Sequence, residues 1–505
     1  MKHLYVEKIL CTIGKTQSLL YIFLLLSSLT LTAQDYPEQE QLSTINYESY
    51  QTYTGDAPAY MEVNTNEFGN EVIRISDATT FGTNGQNLRH RYSLDQPWNS
   101  DGSLIKLAGY PAAILDGETN EFLYWANIPS SALWSNSNPV LMYGVSGNSI
   151  VSYDVTSNDR ETLHTFSDYS YIKYGYGKGN TSFDDKYMGV IGRNGEDQTL
   201  LVYDIENDVV VGSEFIGTRD ISWFTVSPSG QYAITSFVTD GSGLEEGTKV
   251  YDIDLTNKRH LNDYTTHSDF GLNAEGEDVH VSFGDPTTRA NDYYLKSVRL
   301  SDGLVTPLFH YTEGYGVWGG HISCRSNLRP GWAYISEGCC ASDTVGAKEV
   351  FAIKLDGSDI IERFTIHSTN DDTGYGHEAH AVPNRDGSKV MFASNYDDTF
   401  TGDYAPTFIV QAPNNSLSVE SESINKSQIK VYPNPSRDGL VNIKLNESIA
   451  VKSIQVNDVL GRTIRTEEMD SNEKSLNLSS LPGGVYLLSF ITENNGSVTK
   501  RIILN

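Results

Sequence analysis

The chain has 505 residues, 38% hydrophobic and 11% aromatic, which is more than one ordinary domain needs and enough for a sizeable core. Its formal net charge of -29, from 36 basic against 65 acidic side chains, excludes sequence-independent nucleic-acid binding, which needs basic surface to displace counterions. An anionic ligand would have to be gripped by locally clustered Lys, Arg and His.

Residues 1–34 read as an export signal: Lys2, Lys8 and Lys15 precede the apolar run "SLLYIFLLLSSLTL", and "TAQ" offers small residues for cleavage near Ala33 or Gln34. An uncleaved anchor is the alternative, but the run falls short of the ~20 residues a membrane span needs. No other stretch is apolar enough, so stable membrane insertion is not expected. Cys11 goes with the signal, leaving Cys324, Cys339 and Cys340 in a compartment that permits disulfides. An odd count argues against a disulfide scaffold and leaves a local thiol site, or one bridge and one free thiol.

After a lead-in over residues 35–69, a unit of strand, tight polar turn and strand recurs seven times between Asn70 and Pro413. Its turns begin at Asn99, Trp134, Ser182, Ser227, Asn273, Ser326 and Asn384, and each precedes a β-rich run such as "SLIKLAGY", "QYAITSF" or "SKVMFASN". Several repeats continue into a third run ending in an aromatic-Asp pair, as in "SIVSYDV", "LLVYDI" and "TKVYDI". Short strands at this spacing, with almost no helical periodicity, predict an all-β chain forming a seven-bladed β-propeller. The last repeat lacks its outer strand, which "NEVIRISDA" over residues 70–78 can supply, closing the ring without a ragged edge.

A polar linker over residues 414–429 leads to a second set of alternating strands over residues 430–505, expected to form a small β-sandwich. Its "YPNP" opening, "DVLGR" middle and "LPGGVYLL" close resemble the type A C-terminal sorting domain of the Bacteroidetes type IX secretion system. That resemblance implies the type IX machinery as a partner, a secreted or outer-membrane surface-attached location, and no part in catalysis.

In a propeller blade, the start of the innermost strand and the loop between the second and third strands lie on one face of the disc. Inner-strand starts carry His90, Tyr174, Tyr176, Lys178, Trp223, His267, His321, His377 and His380; the loops carry Tyr110, Arg193 and the Cys339–Cys340 pair. His321, Cys339, Cys340 and His380 belong to neighbouring blades and form a soft N/S set suited to a tetrahedral, structural zinc, with calcium as second choice. The alternative is a disulfide from Cys324 to Cys339 or Cys340. Tyr110, Tyr174, Lys178, Trp223, His267 and His377 are the expected substrate contacts.

The motifs "HRYSLDQPWNSDGSLI", "GYGKGNTSFDDKY", "GGHIS" and "GHEAHAVPNRDGSKVMFAS" resemble the propeller polysaccharide lyases, particularly the ulvan lyases of polysaccharide lyase families 24 and 25, and more remotely the oligogalacturonate lyases. The resemblance implies β-elimination at a uronic acid of an anionic algal polysaccharide, leaving a 4,5-unsaturated end. Carried onto this chain, it assigns catalysis to His90, Tyr176 and Arg193, with Tyr174 as substitute. Those lyases pair two histidines in the first blade, and Tyr110 stands about where the second is expected. A non-catalytic glycan-binding propeller and a metal-dependent hydrolase are the alternative functions.

Overall fold

The computed structural model describes residues 39–41, 57–83, 85–109, 111–174, 180–263, 267–284, 295–309, 320–337, 348–370, 374–411, 429–434, 436–445, 451–457, 463–469, 471–492 and 497–504. The chain divides into two compact units, 1–413 and 414–505.

The described residues of the first unit form seven small antiparallel sheets in chain order. The tight turn between first and second strands explains the repeat: the fourth residue's N–H returns to the first residue's carbonyl at Asn99–Gly102, Ser182–Asp185, Ser227–Gly230, Asn273–Gly276, Ser326–Arg329 and Asn384–Gly387. That closure needs a left-handed fourth residue at most of these turns, which Gly102 (φ 72°) and Gly387 (φ 76°) adopt without a Cβ penalty. Asp185 (φ 60°) tolerates it because its carboxylate is tied to Ser135, Ser137 and Thr181.

The sheets pack face to face around a closed ring. Ile114 and Ala126 of the first sheet meet Trp134 and Met142 of the second; Tyr143 and Ile150 meet Ile172 and Met188 of the third; Ile191 and Leu200 meet Phe224 and Ala233 of the fourth. Trp223 and Val250 then meet Phe270 of the fifth, Val281 and Leu295 meet Ile322 and Ile335 of the sixth, and Tyr334 and Phe364 meet Val390 and Phe408 of the seventh. The last core joins Val382 and Met391 of the seventh sheet to Trp98, Ile105 and Leu107 of the first. A chain of sheets whose last packs on its first is a propeller, and the sheets are its blades.

Blade 7 mixes the two ends of the ring: Glu71–Arg74 pairs with Thr407–Gln411, and Val63–Thr65 adds a further strand outside it. Gln39–Gln41 likewise extends blade 6 beyond Ile360–Ile366. Blade 6 buries the Arg329–Glu362 ion pair, 2.5 Å, with Arg329 also donating to the Tyr334 hydroxyl and lying over the Trp332 ring.

The expected substrate contact Trp223 is instead part of this core. It is 3% exposed and packs edge-on against Phe270, 5.3 Å between centroids. Alternation along Ile221–Val226 turns its ring between blades 4 and 5 rather than into the channel.

The second unit has two sheets, one of Ile429–Tyr432, Leu440–Leu445 and Glu473–Asn477, the other of Val451–Asn457, Thr463–Glu468, Gly484–Thr492 and Ser497–Leu504. One apolar core that includes Val441, Ile454, Leu488 and Phe490 serves both. Among the described residues no helix is long and apolar enough to cross a membrane.

Candidate metal centre and active site

The strongest constellation of chemical groups lies where blades 6 and 7 begin. His321 stands on the inner strand Gly320–Ser323 of blade 6, and His380 just before the inner strand Val382–Pro383 of blade 7. Their rings are 3.9 Å apart between centroids and meet at 74°. The Glu378 carboxylate lies 3.5 Å from His321 Nε2 and 3.4 Å from His380 Nε2. Both histidines are 2% exposed while Glu378 is 25% exposed, so the cluster opens toward solvent on the carboxylate side.

Two residues of blade 1 build the loop that presents His380. Arg89, buried, donates through Nη1 to the Gly376 carbonyl at 2.7 Å and through Nη2 to the Glu378 carbonyl at 3.0 Å and to His380 Nδ1. His90 Nε2–H donates to the His380 carbonyl at 2.6 Å. Held from both sides, His380 adopts φ 44°, an uncommon conformation for a non-glycine residue. Burial lowers the Arg89 pKa to about 10, so the guanidinium stays charged at neutral pH.

Two tyrosines face the cluster from the open side. Tyr92 meets His321 and His380 edge-on, at 5.2 and 4.8 Å between centroids. The Tyr375 hydroxyl is 3.5 Å from His321 Nε2 and hydrogen-bonds to Tyr92. Burial, aided by the neighbouring Tyr375, raises the Tyr92 pKa well above a phenol's usual range, and burial also raises that of Tyr375. Both phenols therefore carry their protons at neutral pH. His267, exposed, stacks on His321 at 4.5 Å and donates its Nδ1–H to the Gly320 carbonyl at 2.7 Å, which makes Nε2 its basic nitrogen.

Of the expected metal set, His321 and His380 come together, and Cys339 and Cys340 lie outside the described residues. Among the described residues the third ligand is Glu378, which makes a mixed N/O set in place of the expected N/S set. Cys324 is a buried free thiol packed against Gly271, its pKa raised by burial.

Two further expectations are corrected. His90 is wholly buried, and burial together with Arg89 lowers its pKa to about 3, so it supports His380 from behind and is out of a substrate's reach. His377 is buried and turned away, its Nε2–H donating to the Gly402 carbonyl at 2.8 Å. A 3-10 turn over Tyr375–His377 and the left-handed His380 (φ 44°) bend the segment, so that the His377 ring reaches Gly402 while Glu378 and His380 meet His321.

Arg193 sits at the turn between the second and third strands of blade 3 and donates to the Glu196 carbonyl at 3.3 Å. Tyr174 is half-buried, its hydroxyl buried and without a hydrogen-bond partner among the described residues; Arg91 and Asp95 act on it electrostatically. Arg91 and Asp95 form a 2.5 Å ion pair, so the segment 89–95 runs from the Tyr174 neighbourhood to the histidine cluster. Tyr110, Tyr176 and Lys178 lie outside the described residues.

The donors suit a divalent cation. The atoms of His321, Glu378 and His380 lie within 4.8 Å of one another, and the buried His380 Nε2 makes no hydrogen bond among the described residues. Burial first, and then His321 and Arg89, lower the His380 pKa far below its usual value, keeping the ring neutral as a ligand must be. Because Arg89 can only donate, the neutral ring carries its proton on Nε2; to hold a cation there as a neutral ligand the proton would move to Nδ1 and the Arg89 contact at that nitrogen would give way. Sequence reasoning missed Arg89, Glu378, Tyr92 and Tyr375. A carboxylate two positions before His380, in a loop that carries two histidines, was the readable signal.

Residues 430–505 match the family described as Secretion system C-terminal sorting domain. Over 90 residues, 18% of the chain, the protein is 33% identical to an endo-acting ulvan lyase of Formosa agariphila, a match that spans 17% of that relative's length. The fold is similar to an oligogalacturonate lyase solved in complex with manganese, with TM-score 0.51 and 12% identity, over 71% of this chain and 97% of that one. It is similar also to the oligogalacturonate lyase of Vibrio parahaemolyticus, with TM-score 0.52 and 14% identity, over 70% and 97%. Residues 430–505 therefore belong to the type IX secretion sorting-domain family, which indicates secretion and surface attachment, in a chain whose propeller shares its fold with oligogalacturonate lyases.

Proposed function

We propose that the propeller is a polysaccharide lyase that cuts an anionic, uronic-acid-containing algal polysaccharide, with ulvan the first substrate to test. The observation that carries the reading is the His321–Glu378–His380 cluster faced by the Tyr92–Tyr375 phenol pair. The local likeness to an ulvan lyase and the fold shared with oligogalacturonate lyases support it.

Elimination requires that the C5 proton of the uronate be taken, its electron pair form the C4–C5 double bond, and O4 depart with a proton. A cation held by His321, Glu378 and His380 would supply positive charge against a substrate carboxylate and so acidify C5. Manganese suits the N/O donors; zinc is the other ion this set accepts. His267, whose basic Nε2 is set by its bond to Gly320, is the proposed base, and Tyr375, protonated and exposed, the proposed proton donor to O4. Tyr92 holds the Tyr375 hydroxyl in place. Arg193 and Tyr176 retain the catalytic roles that the lyase resemblance assigns to them, beside those of His267 and Tyr375.

The test is incubation of the purified protein with ulvan, polygalacturonate and related uronans, followed in the ultraviolet and by mass analysis of the ends. Unsaturated products support the lyase reading. Saturated ends would replace it with hydrolysis, and retention of glycan without product would make the propeller a binding module.

A further inference from the structure

Beside the cluster, two tyrosines stay in water where most of this propeller's large rings are buried. Tyr375 is 55% exposed and Tyr404 52% exposed, and they are the exposed tyrosines of the first unit among its described residues. Both flank Gly376. A Cβ at Gly376 would stand 2.2 Å from the Asp403 carbonyl and 3.3 Å from Tyr404 Cδ1, so the chain around Tyr404 lies directly against the loop that carries Glu378 and His380.

The two segments are bonded as well as packed. Ala405 N–H donates to the Gly376 carbonyl at 3.2 Å, and His377 Nε2–H to the Gly402 carbonyl at 2.8 Å. The same Gly376 carbonyl accepts from buried Arg89. Tyr404 therefore stands on a rigid base, and ordering it against a ligand costs little entropy. Asp403, exposed and next in the chain, puts an acceptor for hydroxyl groups on the same loop.

An exposed aromatic face beside a carboxylate is the arrangement that takes a sugar ring, whose C–H face stacks while its hydroxyls donate. We infer that Tyr404, with Tyr375, forms a saccharide subsite next to the His321–Glu378–His380 cluster, binding the sugar ring adjacent to the one that reacts. The inference rests on the saccharide reading above and adds a specificity-determining residue, Tyr404, outside the set His321, Glu378 and His380.

The experiment uses the full chain and its Tyr404→Ala, Tyr404→Phe and Tyr404→Leu variants. Affinity electrophoresis through ulvan and polygalacturonate gels, kinetics on the cleaved substrate and Mn2+ titration are read together. Tyr404→Ala and Tyr404→Leu should weaken glycan retention and raise KM about tenfold with kcat within about twofold. Tyr404→Phe should behave as wild type, and Mn2+ affinity should be unchanged throughout. Wild-type retention and KM in Tyr404→Ala overturn the subsite alone. A wild-type chain retained by ulvan without cutting it removes the lyase reading, and the retention difference between variants then decides the subsite. A wild-type chain that no gel retains and that cuts nothing overturns both.

Discussion

Replacing Arg89 with Met tests how the candidate metal centre is held together, because that guanidinium joins blade 1 to the loop carrying Glu378 and His380. Arg89 donates to the Gly376 carbonyl at 2.7 Å and the Glu378 carbonyl at 3.0 Å, with longer contacts to the Tyr375 and His90 carbonyls at 3.4 and 3.3 Å. The apolar Met fills part of the volume but leaves the Glu378 carbonyl unpaired, at about 1–3 kcal/mol, and the Gly376 carbonyl with the Ala405 N–H alone, at about 1 kcal/mol for the lost bond. Partial relaxation of the loop toward water brings the expected loss to about 2 kcal/mol. The loop's φ 44° at His380 is then no longer imposed, and Mn2+ affinity should fall ten- to a hundredfold, as for other residues that orient metal ligands. Calorimetric Mn2+ titration of the folded variant and urea unfolding without metal separate the two effects. Arg89→Lys should recover part of the stability but little of the affinity, because one ammonium cannot fork across the Gly376 and Glu378 carbonyls and His380 Nδ1. A folded Arg89→Met protein with wild-type Mn2+ affinity would refute the reasoning.

Two further outcomes follow from burial. His90 has its pKa lowered to about 3 in the folded chain, so the unfolded chain binds the extra proton below about pH 6.5 and stability falls as pH drops from there toward 3. Against His90→Gln, which keeps a donor for the His380 carbonyl, wild type should lose about 2 kcal/mol more between pH 7 and pH 5, read from urea midpoints; equal losses would show that His90 is not held neutral. Trp223→Ala should cost about 3–5 kcal/mol of stability by opening the core between blades 4 and 5. Glycan retention by the folded variant at low temperature should match wild type, and a selective loss of retention would return Trp223 to the binding face.

The rest of the candidate site shows which kind of inference reaches how far along a chain. Polar turns from Asn99 to Gly387 and the β-rich runs after them are local signals, and they were legible because turn closure and strand alternation depend on neighbours a few residues apart. The strands of the tail were legible for the same reason, and its family from the resemblance that its motifs carry. Face sorting correctly brought His321 and His380 to one rim but misplaced His90, Trp223 and His377, because it located strand starts without telling which side of the chain each ring would take. Glu378 was not legible from alternation, because a 3-10 turn over Tyr375–His377 and the left-handed His380 set its direction.

By itself, then, the sequence determined the all-β character of the propeller and the rhythm of its turns, products of short-range stereochemistry and pattern, and the motifs of residues 430–505 carried the resemblance to the sorting-domain family. Only the tertiary structure decided the chemistry. Closing the ring brings Arg89 onto His380, 291 positions away, and sets His321 of blade 6 beside it. Which nitrogen of His380 faces Glu378, and which of the histidines is buried behind it, depends on groups that meet only when blade 7 packs against blade 1. No local preference encodes that contact; it arises from burial and hydrogen bonding across the closed ring.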